Sequence, residues 1–150
     1  MASAALTVLT ALSLSGCAVR VAGDPVGVDD SGSVAAEQVQ AYFTELNSAG
    51  AQGLGAQREF LRRTQHPDFT DRLCELRGLT LSVQPAMSTL RRDPGWKPDA
   101  KAEVPRGDIQ VVAVTVTIRR DSTLLGEQIG SQRVVLLDGR AYGFSPCPSG

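Results

Sequence analysis

Asp108-Ile109-Gln110-Val111-Val112-Ala113-Val114-Thr115-Val116-Thr117-Ile118-Arg119-Arg120 is the stretch on which the fold turns. Val112, Val114, Val116 and Ile118 alternate with Ala113, Thr115, Thr117 and Arg119. A period of two sends successive side chains to opposite faces, so the segment reads as a strand with one apolar face. Downstream, residues 126–137 read as a second strand. Asp138-Gly139 then supplies two residues that tolerate positive φ, as a type I′ hairpin turn requires at both central positions. The chain returns as a last strand over 140–144, which places Val135 opposite Tyr142.

Working upstream, residues 84–107 contain Pro85, Pro94, Pro98 and Pro105 and read as a long irregular connection. Leu79-Thr80-Leu81-Ser82-Val83 alternates as a short strand. Before it the period changes to that of a helix. Val39, Tyr42, Phe43 and Leu46 fall at i, i+3, i+4 and i+7, predicting a helix from an N-cap at Ser33 to a stop at Asn47-Ser48-Ala49-Gly50. A second helix is expected over 52–63, carrying Ala56, Phe60 and Leu61. A short third piece would put Phe69, Leu73 and Leu76 on one face. With 42% hydrophobic residues in 150, the chain can bury one core without a metal. Helices followed by an antiparallel meander make an α+β domain over 34–147, its helices on one face of the sheet. A long amphipathic helix cradled by a curved sheet resembles the plan of the NTF2-like and cystatin-like superfamilies.

The first 19 residues carry no charged side chain, and Arg20 is the first charge. The apolar run from Ala2 to Leu14 is too short for the ~20 residues that span a bilayer, and fits the hydrophobic region of a signal peptide. It ends Leu14-Ser15-Gly16-Cys17, which resembles the lipobox of bacterial lipoproteins at all four positions. That resemblance implies removal of residues 1–16, diacylglyceryl on the Cys17 thiol, and a protein held on the outer face of a membrane. Two or three acyl chains hold firmly where one alone binds marginally. Cleavage after Ala22 is the competing reading, with Arg20 in place of a small residue at −3. Met1-Ala2-Ser3 lacks the basic residues of a signal peptide's start, which predicts that translation begins upstream.

Residues 17–33, with repeated Gly, Asp and Ser and no period, read as a flexible tether. Within it, Val21-Ala22-Gly23-Asp24-Pro25-Val26 resembles the segment that follows the lipid-bearing cysteine in actinobacterial lipoproteins. Further along, Phe60-Leu61-Arg62-Arg63-Thr64-Gln65-His66-Pro67-Asp68-Phe69, Gly130-Ser131-Gln132 and Leu137-Asp138-Gly139-Arg140-Ala141-Tyr142-Gly143-Phe144, with Pro146-Cys147, resemble a group of secreted proteins from mycobacteria and their relatives. The resemblance spans most of 55–147 and implies export, with no activity attached to it. Assigning Cys17 to lipid leaves Cys74 and Cys147, and outside the cytoplasmic membrane such a pair is expected as a disulfide. On the chain-entropy model that bridge stabilises by roughly 4 kcal/mol. The rival is a buried free thiol and a reactive one.

Catalytic motifs are absent: no G-x-S-x-G, P-loop, G-x-G-x-x-G or C-x-x-C occurs. A single His, His66, removes multi-His metal sites, and no cofactor is implied. His66 beside Asp68 is the one acid–base pair to consider, against a turn-packing role in His66-Pro67. The expected inward face, Val112 to Ile118, carries no acid or base. Net charge of −1 and isolated Arg-Arg pairs give no field for nucleic acid. Trp96, in Pro94-Gly95-Trp96-Lys97-Pro98, either anchors a partner or folds back on the sheet. Three functions follow. The first is a non-catalytic envelope interaction module using Trp96 and the 84–107 connection. The second is a carrier of an apolar small molecule in a cavity walled by 112–118. The third is an enzyme using His66 and Asp68, which requires both to line a cleft.

Overall fold

The computed structural model of the protein describes residues 30–73 and 75–145. Cys17, Cys74 and Cys147, the expected signal peptide and most of the expected tether lie outside the described residues. Helix α1 runs Asp30–Gln52 and α2 Leu54–Thr64, followed by a 3₁₀ turn over Pro67–Arg72. Four strands follow: β1 Leu79–Arg92, β2 Asp108–Arg120, β3 Thr123–Leu137 and β4 Arg140–Tyr142. They form one antiparallel sheet in the order β1-β2-β3-β4, so the chain is α+β. The alternating valines are β2, and Val135 pairs with Tyr142 as the hairpin reading required. Asp138 and Gly139 take φ of 50° and 73°, the paired positive values of a type I′ turn.

Val39, Tyr42, Phe43 and Leu46 of α1 and Phe60 and Leu61 of α2 are buried against Leu81, Val83, Val112, Val114 and Val134. One sheet face therefore packs on both helices. The opposite face is also covered at one end, which the alternation did not suggest. Ile109, Val111 and Val135 are each at most 1% exposed and share that second face by register. Phe69 and Ala102, from the connections on this side, are buried too. The chain reaches this face by wrapping the edge of β4. Gly143 N–H donates to Thr64 O at 2.8 Å and His66 N–H donates to Gly143 O at 3.0 Å.

Four expectations need correction. Helix α1 begins at Asp30, so residues 30–33 belong to it rather than to the tether. It also runs through Asn47 and Gly50, which have tertiary duties instead of ending it. Second, the Phe69–Leu73–Leu76 stripe does not form. Phe69 breaks the 3₁₀ turn with φ −134°, Leu73 is exposed, and Leu76 joins the helix-face core.

Third, the irregular connection is 93–107, because β1 continues to Arg92. Pro85 did not stop it because β1 is an edge strand. Leu81 and Val83 turn their backbone groups outward to Gln57 and Asn47. Pro85 shares their parity, so its missing N–H falls on the outer side, where no ladder bond is lost. Past Ala86 the register shifts, and Thr89 spans the gap, its hydroxyl donating to Ala86 O and accepting from Ala113 N–H. Fourth, the last strand is shorter than 140–144. It ends at Tyr142, and Gly143 instead bridges in parallel to Gln65.

Candidate functional site

Burial along the apolar face of β2 falls off toward its C-terminal end. Val112 and Val114 are at most 3% exposed, while Val116 and Ile118 are only half-buried. Over that less filled end lies a cavity of about 370 Å³. Tyr42, Phe43 and Leu46 of α1 and Leu61 of α2 roof it. Leu81 and Val83 of β1 and Val116 and Ile118 of β2 floor it, and Leu76 and Leu79 close one end. Its open side follows from the length of β4, which pairs with β3 only at residues 135–137. Beyond that point Gln128, Gln132 and Arg133 of β3, with Phe144, form the wall.

The volume is within the ~300–1,000 Å³ of small-molecule pockets, and apolar walls with a few polar groups are their usual make-up. Among the described residues no carboxylate lines it. Tyr42 is the one roof residue with an ionisable group, and burial pushes its phenol up to about 12, partly offset by a hydrogen bond with Thr64. The phenol is therefore neutral near pH 7. Arg133 is engaged already: its Nε and Nη2 reach Asp93 Oδ2 at 3.2 and 3.1 Å. The polar features left for a ligand are the amides of Gln128 and Gln132.

Trp96 is half-buried and folded inward. Its ring meets Phe144 edge-on at 4.7 Å, and the Arg133 guanidinium lies over it at 5.3 Å. Trp96 thus backs the cavity wall through Phe144. His66 is fully buried. Its Nδ1 accepts from Asp68 N–H at 3.2 Å and its Nε2 reaches Arg106 O at 2.9 Å, which makes Nε2 the protonated nitrogen of a neutral ring. The ring stacks on Phe144 at 5.7 Å. Asp68 points to Arg106, with Nη2–Oδ1 at 2.6 Å, and that guanidinium holds its carboxyl below the usual carboxylate range. His66 and Asp68 thus fasten the 66–72 turn to the 93–107 connection, and both ring nitrogens are spent on backbone.

Sequence reasoning found the cavity floor but missed Gln128 and Gln132. Both share the apolar face with Val134 by period two, so two amides on a strand's greasy side were the available signal. Among the described residues no group of three His, Cys, Asp or Glu side chains could hold a metal, and no helix is long and apolar enough to cross a membrane. The chain matches no protein-family model, no curated protein and no solved structure.

Proposed function

We propose that this chain is a membrane-tethered, non-catalytic envelope protein whose domain carries an apolar small molecule. The carrying observation is the cavity walled by Val116 and Ile118, apolar on its roof and floor and polar only along β3. Of the three sequence readings the geometry favours this one. Trp96 turns in toward Phe144, away from the role of a projecting anchor, and His66 is committed to its turn. The tether rests on Leu14-Ser15-Gly16-Cys17, with lipid on Cys17 holding the domain on the outer face of the membrane. An unbroken meander beneath one long helix supports the cystatin-like or NTF2-like plan.

The test is binding of the apolar fluorophore N-phenyl-1-naphthylamine. The unsubstituted protein should enhance its emission saturably. Val116→Trp, which fills the cavity from its floor, should abolish the enhancement while leaving the thermal midpoint within a few degrees. Equal binding by both proteins, or by neither, would remove the carrier reading.

A further inference from the structure

Among the described residues six arginines are ion-paired, and six, Arg63, Arg77, Arg91, Arg119, Arg120 and Arg140, have no acid within ion-pair distance. Arg58, Arg62, Arg72, Arg92, Arg106 and Arg133 each hold an acidic side chain. Of the unpaired six, Arg77, Arg119 and Arg120 are exposed and gather at one end of the sheet. Arg119 and Arg120 close β2 at its hairpin with β3, and Arg120 pairs in register with Leu79, two residues after Arg77.

The same end exposes apolar surface. Leu124 and Leu125 open β3 and are 54% and 51% exposed. The register of β2 and β3 slips between Ile118 and Arg119, leaving Leu125 as an extra residue. A bulge of this kind bends the strand and re-aims its side chains. Asp121, in the turn itself, is the acid nearest in sequence. Glu75 is held by Arg58 at 3.1 Å, and Glu127 accepts from Thr117 at 3.1 Å. Three arginines against the carboxylates of Asp121 and Glu127 leave the tip one charge positive on a chain whose net charge is −1.

We infer that this hairpin tip, Arg119–Leu125 with Arg77, is a membrane-contact surface that seats the leucines at the headgroup boundary of an anionic bilayer. Exposed leucines beside arginines are the chemistry of interfacial binding, in which burial and attraction to anionic lipid add together. Position supports a lipid occupant over a protein one. Leu79 and Ile118 line the cavity and adjoin the tip in register, so a bilayer at the tip meets the rim of an apolar chamber.

The tip is also within reach of an anchored chain. Gln38, early in α1, bonds Gly139 at 3.4 Å, whereas Gly50 lies against Leu81 near the tip. The chain before Asp30 therefore joins at the opposite end. On the proposed anchor at Cys17, the 13 residues 17–29 allow a contour of at most about 45 Å, longer than the roughly 35 Å of the 23-residue α1.

The experiment places a reporter at the tip of the full chain with Leu124→Trp. Vesicles carry bromine on their acyl chains, made either of phosphatidylglycerol or of phosphatidylcholine. Contact predicts severalfold stronger quenching of L124W than of the unsubstituted protein, whose Trp96 is the background, and only in phosphatidylglycerol. Arg119→Gln with Arg120→Gln in the L124W background should remove most of that excess. Quenching of L124W no greater than background, as a protein-binding tip would give, overturns the proposal. So does quenching indifferent to lipid charge and to the arginines. Either failure leaves fluorophore binding in the cavity untouched.

Discussion

The buried amide of Gln57 closes a two-bond ring on the backbone of Leu81. Its Nε2 donates to Leu81 O at 2.7 Å and its Oε1 accepts from Leu81 N–H at 2.8 Å. Asn47 repeats the device at Val83, donating at 2.8 Å and accepting at 2.7 Å. Two helix side chains thus take the place of the strand that β1 lacks, which blunts an edge otherwise open to pairing with other chains.

Replacing Gln57 with Leu keeps its bulk and leaves the Leu81 N–H and C=O without partners. An unpaired buried polar group costs about 1–3 kcal/mol, so Gln57→Leu should lose roughly 2–4 kcal/mol in urea denaturation. Asn47→Ala, at a half-exposed position that water reaches, should lose less. Equal stability of Gln57→Leu and the unsubstituted protein would mean that the clamp contributes nothing.

The clamp shows what the sequence could not display. Asn47 and Gly50 look like a helix stop, and Asn and Gly do end helices. Here Asn47 reaches β1, and a Cβ at Gly50 would lie 2.8 Å from Leu81 O and 2.6 Å from the Gln57 amide. Those duties are set by Leu81 and Val83, more than 30 positions away, which local pattern cannot see. The β2 alternation and the Asp138-Gly139 turn were legible because strand period and positive φ are local properties. The second buried face had a fainter signal. Ile109 and Val111 stand at the opposite parity to Val112 and Val114, and such a run marks a strand covered on both sides. Of the cavity, the floor was legible from period two, while its open side depends on how soon β4 ends.

Gly143 is a second close approach. A Cβ built there would fall 1.9 Å from Tyr42 Oη, and Tyr42 packs between Phe43 and Phe60 at 5.3 and 5.4 Å. Gly143→Ala should therefore cost about 2–3 kcal/mol through forced movement of a packed ring. Tyr42→Phe in the same chain removes the nearest clashing atom and should recover part of the loss. Additive effects in a double-mutant cycle would argue against the clash.

Tyr42 also sets an alkaline limit. Its pKa rises from 10.0 to about 12 on folding, mainly through burial. A group with a raised folded pKa gives stability that is complete below its unfolded value and is lost as pH climbs through the folded one. The protein should accordingly lose about 2 kcal/mol between pH 10 and 12 from this group. Tyr42→Phe should flatten that decline while lowering stability slightly at pH 7 through the lost Thr64 hydrogen bond. Parallel pH profiles for the two proteins would exclude Tyr42 as the cause.

The proposed Cys74–Cys147 bridge rests on compartment and cysteine count, the two cysteines standing 73 positions apart in the chain. Protein isolated from an oxidising envelope should gain two hydrogens in intact mass on reduction, and Cys74→Ser should leave one thiol that titrates after unfolding. Reduction should lower stability by roughly 4 kcal/mol, since a loop this long restricts the unfolded chain strongly. The proposed lipid on Cys17 would make this count come out even. If Cys17→Ala still incorporated a labelled fatty acid, the anchor would be elsewhere and Cys17 would become a third candidate for pairing. With Cys17 lipidated, two thiols titrating in the unfolded, unreduced chain would mean that Cys74 and Cys147 are unbridged.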